Sequence, residues 1–208
     1  LITGAAGFIG KNLAGYIRNL YPNLRVISVD VKTVPAQNFY KVDLSNKSAM
    51  TSLLKKYRPQ VIYHLAGTAG ENNLEKLVNA NVVNTCSMFE SVRSVKKYSP
   101  RIILPSSAAE YGNVNCGKAR INEDSPAKPV NFYGLSKAIQ TEIGLFYSRL
   151  GLDVVVGRIF NISGPGTPQN LVAGRIAREL ALIKKGKTRP FVLVKSQNTF
   201  RDFLDIRD

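Results

Sequence analysis

The stretch Leu1-Ile2-Thr3-Gly4-Ala5-Ala6-Gly7-Phe8-Ile9-Gly10 sets three glycines at three-residue intervals between a short apolar run and an amphipathic segment. Glycines so placed permit a tight strand-to-helix turn, let a pyrophosphate approach the backbone and allow close contact between helix and strand. The helix that follows points N–H donors and the positive end of its dipole at the phosphates. The spacing is GxxGxxG rather than GxGxxG, and a glycine triplet alone also suits any tight turn. The next strand adds weight, because it ends on Asp30, 20 residues after Gly10. A carboxylate there accepts hydrogen bonds from a ribose diol and repels a 2′-phosphate, which favours NAD over NADP. The plainer reading of Asp30 is a loop-initiating Asp, and Lys32 keeps NADP open.

Beyond this turn the chain alternates β-branched runs with amphipathic stretches, the pattern of βαβ units and a parallel sheet covered by helices on both faces. Strands are predicted at Leu1–Thr3, Arg25–Asp30, Phe39–Val42, Val61–Leu65, Arg101–Pro105 and Asp153–Arg158, several of them continuously apolar, as strands buried on both faces should be. Helices are predicted near Ile9–Leu20, Lys47–Tyr57, Leu74–Lys97, Tyr133–Leu150 and Leu171–Lys185. In the third, Leu74, Leu77, Val78, Val82, Cys86, Phe89, Val92 and Val95 recur at three- and four-residue spacing, so one face packs inward. Pro and Gly gather at 112–129 and 164–168, in loops that follow strand ends, where open α/β sheets bind ligands. The expected class is α/β, a doubly wound parallel sheet over residues 1–160, then the start of a smaller lobe over 161–208. A further apolar run, Phe191–Val194, comes shortly before the last residue, and Leu1 stands where an initiating Met is usual. The expectation is a trimmed chain with an incomplete second lobe.

Composition narrows the partners. The 208 residues carry 29 Lys+Arg against 14 Asp+Glu, a net charge of +15, which by itself suggests nucleic acid, an anionic membrane or a phosphate-bearing ligand. The 44% hydrophobic and 21% charged content is that of an ordinary globular protein. The basic pairs Lys55-Lys56, Lys96-Lys97 and Lys184-Lys185 are scattered in or at the ends of helices, with no RNA-binding aromatic motif beside them. Solvated faces explain them better than a nucleic-acid partner. No apolar run approaches the roughly 18 residues of a membrane span, and the first residues lack the basic-then-apolar layout of a signal peptide, so the expected setting is cytoplasmic. Cys86, Cys116 and the single histidine, His64, make no zinc spacing, and no metal is expected. Cys116 reads as a plain loop thiol.

Tyr133-Gly134-Leu135-Ser136-Lys137 opens a predicted helix, so the phenol and the ammonium lie one turn apart on one face. A cation beside a tyrosine lowers a phenol pKa of roughly 10 by about 1–3 units, which makes it a usable acid or base. Ser107, in Pro105-Ser106-Ser107-Ala108-Ala109-Glu110-Tyr111-Gly112, follows another strand and can bond the same reacting oxygen.

With these landmarks in order, the chain resembles an extended short-chain dehydrogenase/reductase of the nucleotide-sugar epimerase, dehydratase and reductase group. The resemblance rests on TGAAGFIG at Thr3–Gly10, Asp30, Asp43-Leu44, HLAG at His64–Gly67, SSAAEYG at Ser106–Gly112, YGLSK at Tyr133–Lys137, RIFNISGPG at Arg158–Gly166 and RDFLDIRD at Arg201–Asp208. It implies a Rossmann-type domain that holds NAD, with NADP possible, and a catalytic trio of Ser107, Tyr133 and Lys137. It also implies cofactor contacts from Gly4, Gly7, Phe8, Ile9, Gly10, Asp30, Asp43, Leu44, Leu65, Ala66, Gly67, Tyr133, Lys137 and Phe160. A nucleotide-diphosphate sugar would meet Ser107, Asn161 and Arg201. The implied chemistry is hydride transfer between the nicotinamide C4 and C4 of a hexose, with Tyr133 handling the O4 proton and Lys137 holding the nicotinamide ribose and lowering the tyrosine pKa. His64 is read as structural or as part of the cofactor wall.

Family 4,6-dehydratases carry an acidic pair directly after the position of Ser107, where this chain has Ala108 and Ala109; Glu110, one place later on an extended segment, is expected to point elsewhere. What remains is a 4-keto-6-deoxyhexose reductase, to which FNISGPG and RDFLDIRD lean, or an NAD-retaining 4-epimerase, which Asp30 mildly favours. A cofactor-binding regulator without catalysis is the third reading, opposed by the intact Ser, Tyr and Lys. The segments 74–97 and 133–150 correspond to helices that pair across a dimer in this family, so a homodimer is expected.

Overall fold

The structure, a computed structural model, describes residues 1–114, 120–194 and 201–208. It falls into two units, Leu1–Ile159 and Phe160–Asp208. In the first, six parallel strands run in the order β3-β2-β1-β4-β5-β6: β1 (Ile2–Thr3), β2 (Ser28–Asp30), β3 (Phe39–Lys41), β4 (Val61–His64), β5 (Arg101–Ser107) and β6 (Asp153–Ile159). The chain moves outward from β1 to β3, then returns to pair β4 on the other side of β1. This reversal opens a crevice at the carboxyl ends of β1 and β4, the switch point at which such sheets bind ligands.

Alternation along the strands divides the core into two layers. Ile62, Ile102 and Leu104 face a cluster with Met50 and Leu54 of α2 (Lys47–Tyr57) and Met88, Phe89 and Val92 of α4 (Asn84–Arg93). Ile2, Val26 and Tyr63 face the opposite cluster, which seats Leu13, Ala14 and Ile17 of α1 (Phe8–Leu20). Helix α5 (Phe132–Arg149) adds Ile143 and Tyr147 to the first layer. The doubly wound α/β class is therefore what the protein adopts. Among the described residues, no helix is long and apolar enough to cross a membrane.

Several expected boundaries shift. The second strand starts at Ser28, not Arg25, although Val26 and Ile27 are buried beside it. The fifth extends to Ser107, because pairing with β6 continues to Ile159. The helix expected unbroken over Leu74–Lys97 is α3 (Leu74–Val78), a π-helical turn over Asn79–Val83, and α4. In that turn the Asn84 N–H reaches back five residues to Asn79 O. The wider turn brings Asn81 inward, where its side chain bonds Thr68 and the Ser136 hydroxyl. Residues Ala108–Tyr111, expected to be extended, form a 3₁₀ turn.

The second unit holds a short parallel pair, β7 (Asn161–Ser163) and β8 (Phe203–Asp205), and helix α6 (Val172–Lys184). Neither strand was expected, since three residues carry too little pattern to read. Phe191–Val194 forms no strand; Phe191 and Leu193 are largely exposed, and the Leu193 carbonyl accepts from Arg175. Cys116 lies outside the described residues.

Candidate active site

A cavity of about 290 Å³ lies at the switch point, lined by Gly4, Gly7, Asp30, Leu44, Leu65, Ala66 and Gly67 among the expected residues. Phe8, Ile9 and Gly10 form the first turn of α1 next to it. The cap of that helix is Gly7, which has no side chain to bond its first-turn N–H groups. By contrast Asn46, Asn73 and Asn131 cap α2, α3 and α5. An anion at α1 thus meets backbone donors and the positive dipole end without displacing a side chain. Gly10 is required by close approach: a Cβ there would stand 2.3 Å from Gly4 O and 2.7 Å from Ala5 Cα. The Asp30 carboxylate accepts from Ala6 N–H and Lys32 N–H, both at 2.9 Å, which fixes it at the cavity wall with acceptor capacity left for a diol. Asp43 is different. Its carboxylate accepts from Ser45 N–H (2.9 Å) and lies outside the lining, while its neighbours Val42 and Leu44 face the cavity. Lys32, Ala80 and Asn84 also line it. A dinucleotide fits this combination of uncapped helix, glycine-cleared backbone and anchored carboxylate.

The second part of the site is built from side chains. Tyr133 sits in the first turn of α5, behind the Asn131 cap, and Ser107 ends β5. The two turns touch: a Cβ at Gly134 would lie 2.4 Å from Ala109 O, so glycine lets α5 press against the 3₁₀ turn. The Ser107 hydroxyl accepts from Ala109 N–H (3.2 Å), which leaves its own proton to donate. Burial raises the Tyr133 phenol above its ordinary value, and a hydrogen bond with Ser107 pulls the other way. Lys137 is buried, and its ammonium donates to Pro105 O (2.8 Å) and to Gln140 Oε1. Burial lowers it to about 8. The expectation that Lys137 depresses the tyrosine is thus not what the protein alone displays, because desolvation acts on both groups and pushes each toward its neutral form.

Behind Lys137 runs a chain of buried hydrogen bonds. Gln140 Nε2 donates to Thr85 Oγ1 (2.7 Å), and the Thr85 hydroxyl donates to Asn81 O (2.7 Å). Thr85 Oγ1 therefore accepts from His64 Nε2 (3.0 Å), and His64 Nδ1 accepts from the Thr3 hydroxyl (3.0 Å). Ala66 N–H, on the cavity wall, donates to Thr3 Oγ1 (3.2 Å). Burial lowers His64 to about 3, so it is a neutral connector rather than an acid. Reasoning from sequence missed Thr85, Gln140 and Thr141. The signal is faint: polar residues fall on the inward faces of α4 and α5, where the period calls for apolar ones. Among the described residues, no group of His, Cys, Asp or Glu side chains stands ready to hold a metal.

Phe160, Asn161 and Arg201 belong to the second unit. There Phe160 is partly exposed, and Asn161 donates through Nδ2 to Asp202 O (2.9 Å) beside the β7–β8 pair.

Residues 1–208 match the family described as NAD dependent epimerase/dehydratase. The chain belongs to that family. Over its whole length it is 26% identical to GDP-6-deoxy-D-mannose reductase of Pseudomonas aeruginosa, covering 66% of that protein. It is 30% identical to GDP-6-deoxy-D-talose 4-dehydrogenase of Aggregatibacter actinomycetemcomitans, again over the whole chain and 66% of the relative. The structure of RMD from Pseudomonas aeruginosa complexed with NADPH superposes with a TM-score of 0.83 at 25% identity, covering 99% of this chain and 68% of that one. The chain thus spans about two thirds of the length of the curated relatives it matches.

Proposed function

We propose that the protein is a nucleotide-sugar oxidoreductase that passes hydride between NAD(P) and C4 of a nucleotide-linked hexose, working as a 4-keto-6-deoxyhexose reductase. The observation that carries this is the meeting of Ser107, at the end of β5, with Tyr133 in the first turn of α5, beside a buried Lys137. Bound NAD(P)H supplies a hydride. Tyr133, kept protonated by its burial, gives the phenolic proton to O4 as the carbonyl is reduced, and Ser107 donates to the same oxygen to orient it. Lys137, fixed by Pro105 O and Gln140, holds the ribose hydroxyls. Ala108 and Ala109 occupy the two places after Ser107 where family dehydratases carry their acidic pair, and Glu110 turns into the core, which disfavours the elimination of water. The second unit, with Asn161 and Arg201, forms the beginning of the lobe that takes the sugar diphosphate. The apolar exposed residues of α5, Leu135, Ile139 and Phe146 among them, suit a homodimer, and the setting is cytoplasmic.

An NAD-retaining 4-epimerase is the second reading, favoured by Asp30 at the cavity wall. Mass spectrometry of the full chain with GDP- and dTDP-linked 4-keto-6-deoxyhexoses separates the two. A gain of two hydrogens that depends on NAD(P)H is the expected result, and equal-mass isomers formed with co-purified NAD would reverse the order. Tyr133→Phe should retain dinucleotide binding and lose at least about 100-fold of turnover; undiminished turnover would remove the catalytic assignment.

A further inference from the structure

We propose that Glu110 is a positioning residue for the Ser107–Tyr133 pair, its buried carboxylate locking the turn that carries Ser107 onto α5 and β6. This rests on the oxidoreductase reading above. Glu110 is fully buried. A carboxylate out of water costs several kcal/mol unless its oxygens are satisfied, and here they are. Oε1 accepts from the Ser106 hydroxyl, from Thr141 Oγ1 (2.7 Å) and from Ser107 N–H (3.4 Å), and Oε2 accepts from Arg158 Nε (3.1 Å). One side chain thereby ties the last two residues of β5 to α5, one turn beyond Lys137, and to β6. Arg158 extends the tie, donating through Nη1 to Glu123 O (2.9 Å) and the Tyr111 hydroxyl (3.3 Å). Glu110 O also accepts from Lys128 N–H (2.8 Å), so the chain beyond the turn is fastened to the same residue.

The contacts bear on reactivity because both reacting side chains hang from the pieces being tied. Ser107 takes its direction from the 3₁₀ turn, whose N-terminal capping box is closed by Glu110 itself. Tyr133 takes its direction from the first turn of α5, pressed on that turn at Gly134. An apolar residue of similar size would fill the same volume but would hold neither Ser107 N–H nor Thr141. The charge acts as well: Glu110 raises both Tyr133 and Lys137, opposing burial at the lysine and adding to it at the tyrosine. The other charged or titratable groups around the pair are Arg158 from β6, neutral His64 from β4, Tyr111 from the 3₁₀ turn, Glu142 on α5, Glu123 and Lys128 from the segment before α5, and the exposed Glu75 and Lys76 of α3.

The test is the pH dependence of kcat and KM for the full chain, with NAD(P)H and a nucleotide-linked 4-keto-6-deoxyhexose. Wild type, Glu110→Gln, Arg158→Gln and Tyr133→Phe are compared, each corrected for folded fraction by dinucleotide titration. In Glu110→Gln, kcat should fall about 10- to 100-fold with KM within about twofold, as a misplaced reacting group predicts, and the alkaline limb should move to lower pH. Arg158→Gln, which leaves Glu110 without its counter-charge, should move that limb to higher pH. A Glu110→Gln protein that is less stable but has unaltered kcat and an unmoved limb overturns the proposal. If Glu110→Gln does not stay folded, an unmoved limb in Arg158→Gln overturns it instead. Full turnover in Tyr133→Phe would sink the underlying oxidoreductase reading, whereas inactive Tyr133→Phe beside a normal Glu110→Gln sinks only the role of Glu110.

Discussion

The two halves of the site are made of different material. Around the glycine turn the working groups are backbone amides, cleared of side chains and steadied by one carboxylate that is itself held by two N–H groups. Around Tyr133 they are side chains held by other side chains, some one helical turn away and some distant in the sequence: Lys137 by Gln140, Gln140 by Thr85, Thr85 by His64, Ser106 and Thr141 by Glu110. A backbone site depends on steric clearance and fails when atoms are added. A side-chain site depends on partners and fails when they are removed or change protonation.

This contrast can be broken in four places, taken from the largest expected effect downward. His64 is neutral in the fold, with a folded value of about 3 against an ordinary 6.5. Its contribution to stability is therefore complete above about pH 6.5 and lost as pH falls toward 3, by on the order of 5 kcal/mol across the window. Denaturant melts at pH 7.5 and 5 should show this slope, and His64→Gln should flatten it; the same slope in both proteins would mean that the connector carries no such burden. Gly10→Ala should weaken dinucleotide binding about 100-fold, roughly 3 kcal/mol, because its Cβ meets backbone that cannot rotate aside. Calorimetric titration measures it, and an unchanged affinity would show that the turn shifts at little cost. Gln140→Leu should cost about 1–3 kcal/mol of folding stability by taking one acceptor from the buried Lys137 ammonium, which is left with Pro105 O, and one donor from Thr85. A loss under about 0.5 kcal/mol would count against the network. Smallest is Asp30→Asn, expected to move the NAD-over-NADP preference about tenfold toward NADP by removing like-charge repulsion; a constant ratio of the two affinities would assign selectivity to Lys32 or its neighbours.

The same division explains what could be read beforehand. The turn, Asp30 and the strand that ends on it were legible because backbone sites advertise themselves through glycine spacing and periodicity, both local properties of the chain. The Tyr133, Lys137 and Ser107 types were legible from their chemistry, but their supports were not. Glu110 bonds Thr141 across 31 positions and Arg158 across 48, and no local pattern encodes that pairing. Its segment was expected to be extended, whereas Ser107 and Glu110 together close a capping box that coils it. The break in the helix after Val78 was hidden for a related reason: apolar residues still recur at three- and four-residue spacing through it, so period alone cannot register the added residue.

That added residue has a consequence for how the chain tolerates insertions and deletions. A π turn is an α-helix with one residue more than its repeat allows, and each residue turns an α-helix by about 100°. Deleting one position within Asn79–Val83 would let the hydrogen bonds close in the ordinary α pattern and leave α3 and α4 on their present faces, with Leu77 still in the core. Keeping every residue and closing the turn as plain α would instead rotate α3 by about 100° against α4. In either case the local widening that carries Asn81 to Thr68 and Ser136, next to the cavity wall at Ala80 and Asn84, would be lost. A circular dichroism spectrum would look sound in both. The number of residues in this one turn is thus a parameter of the cavity in its own right, separate from the identity of any residue in it.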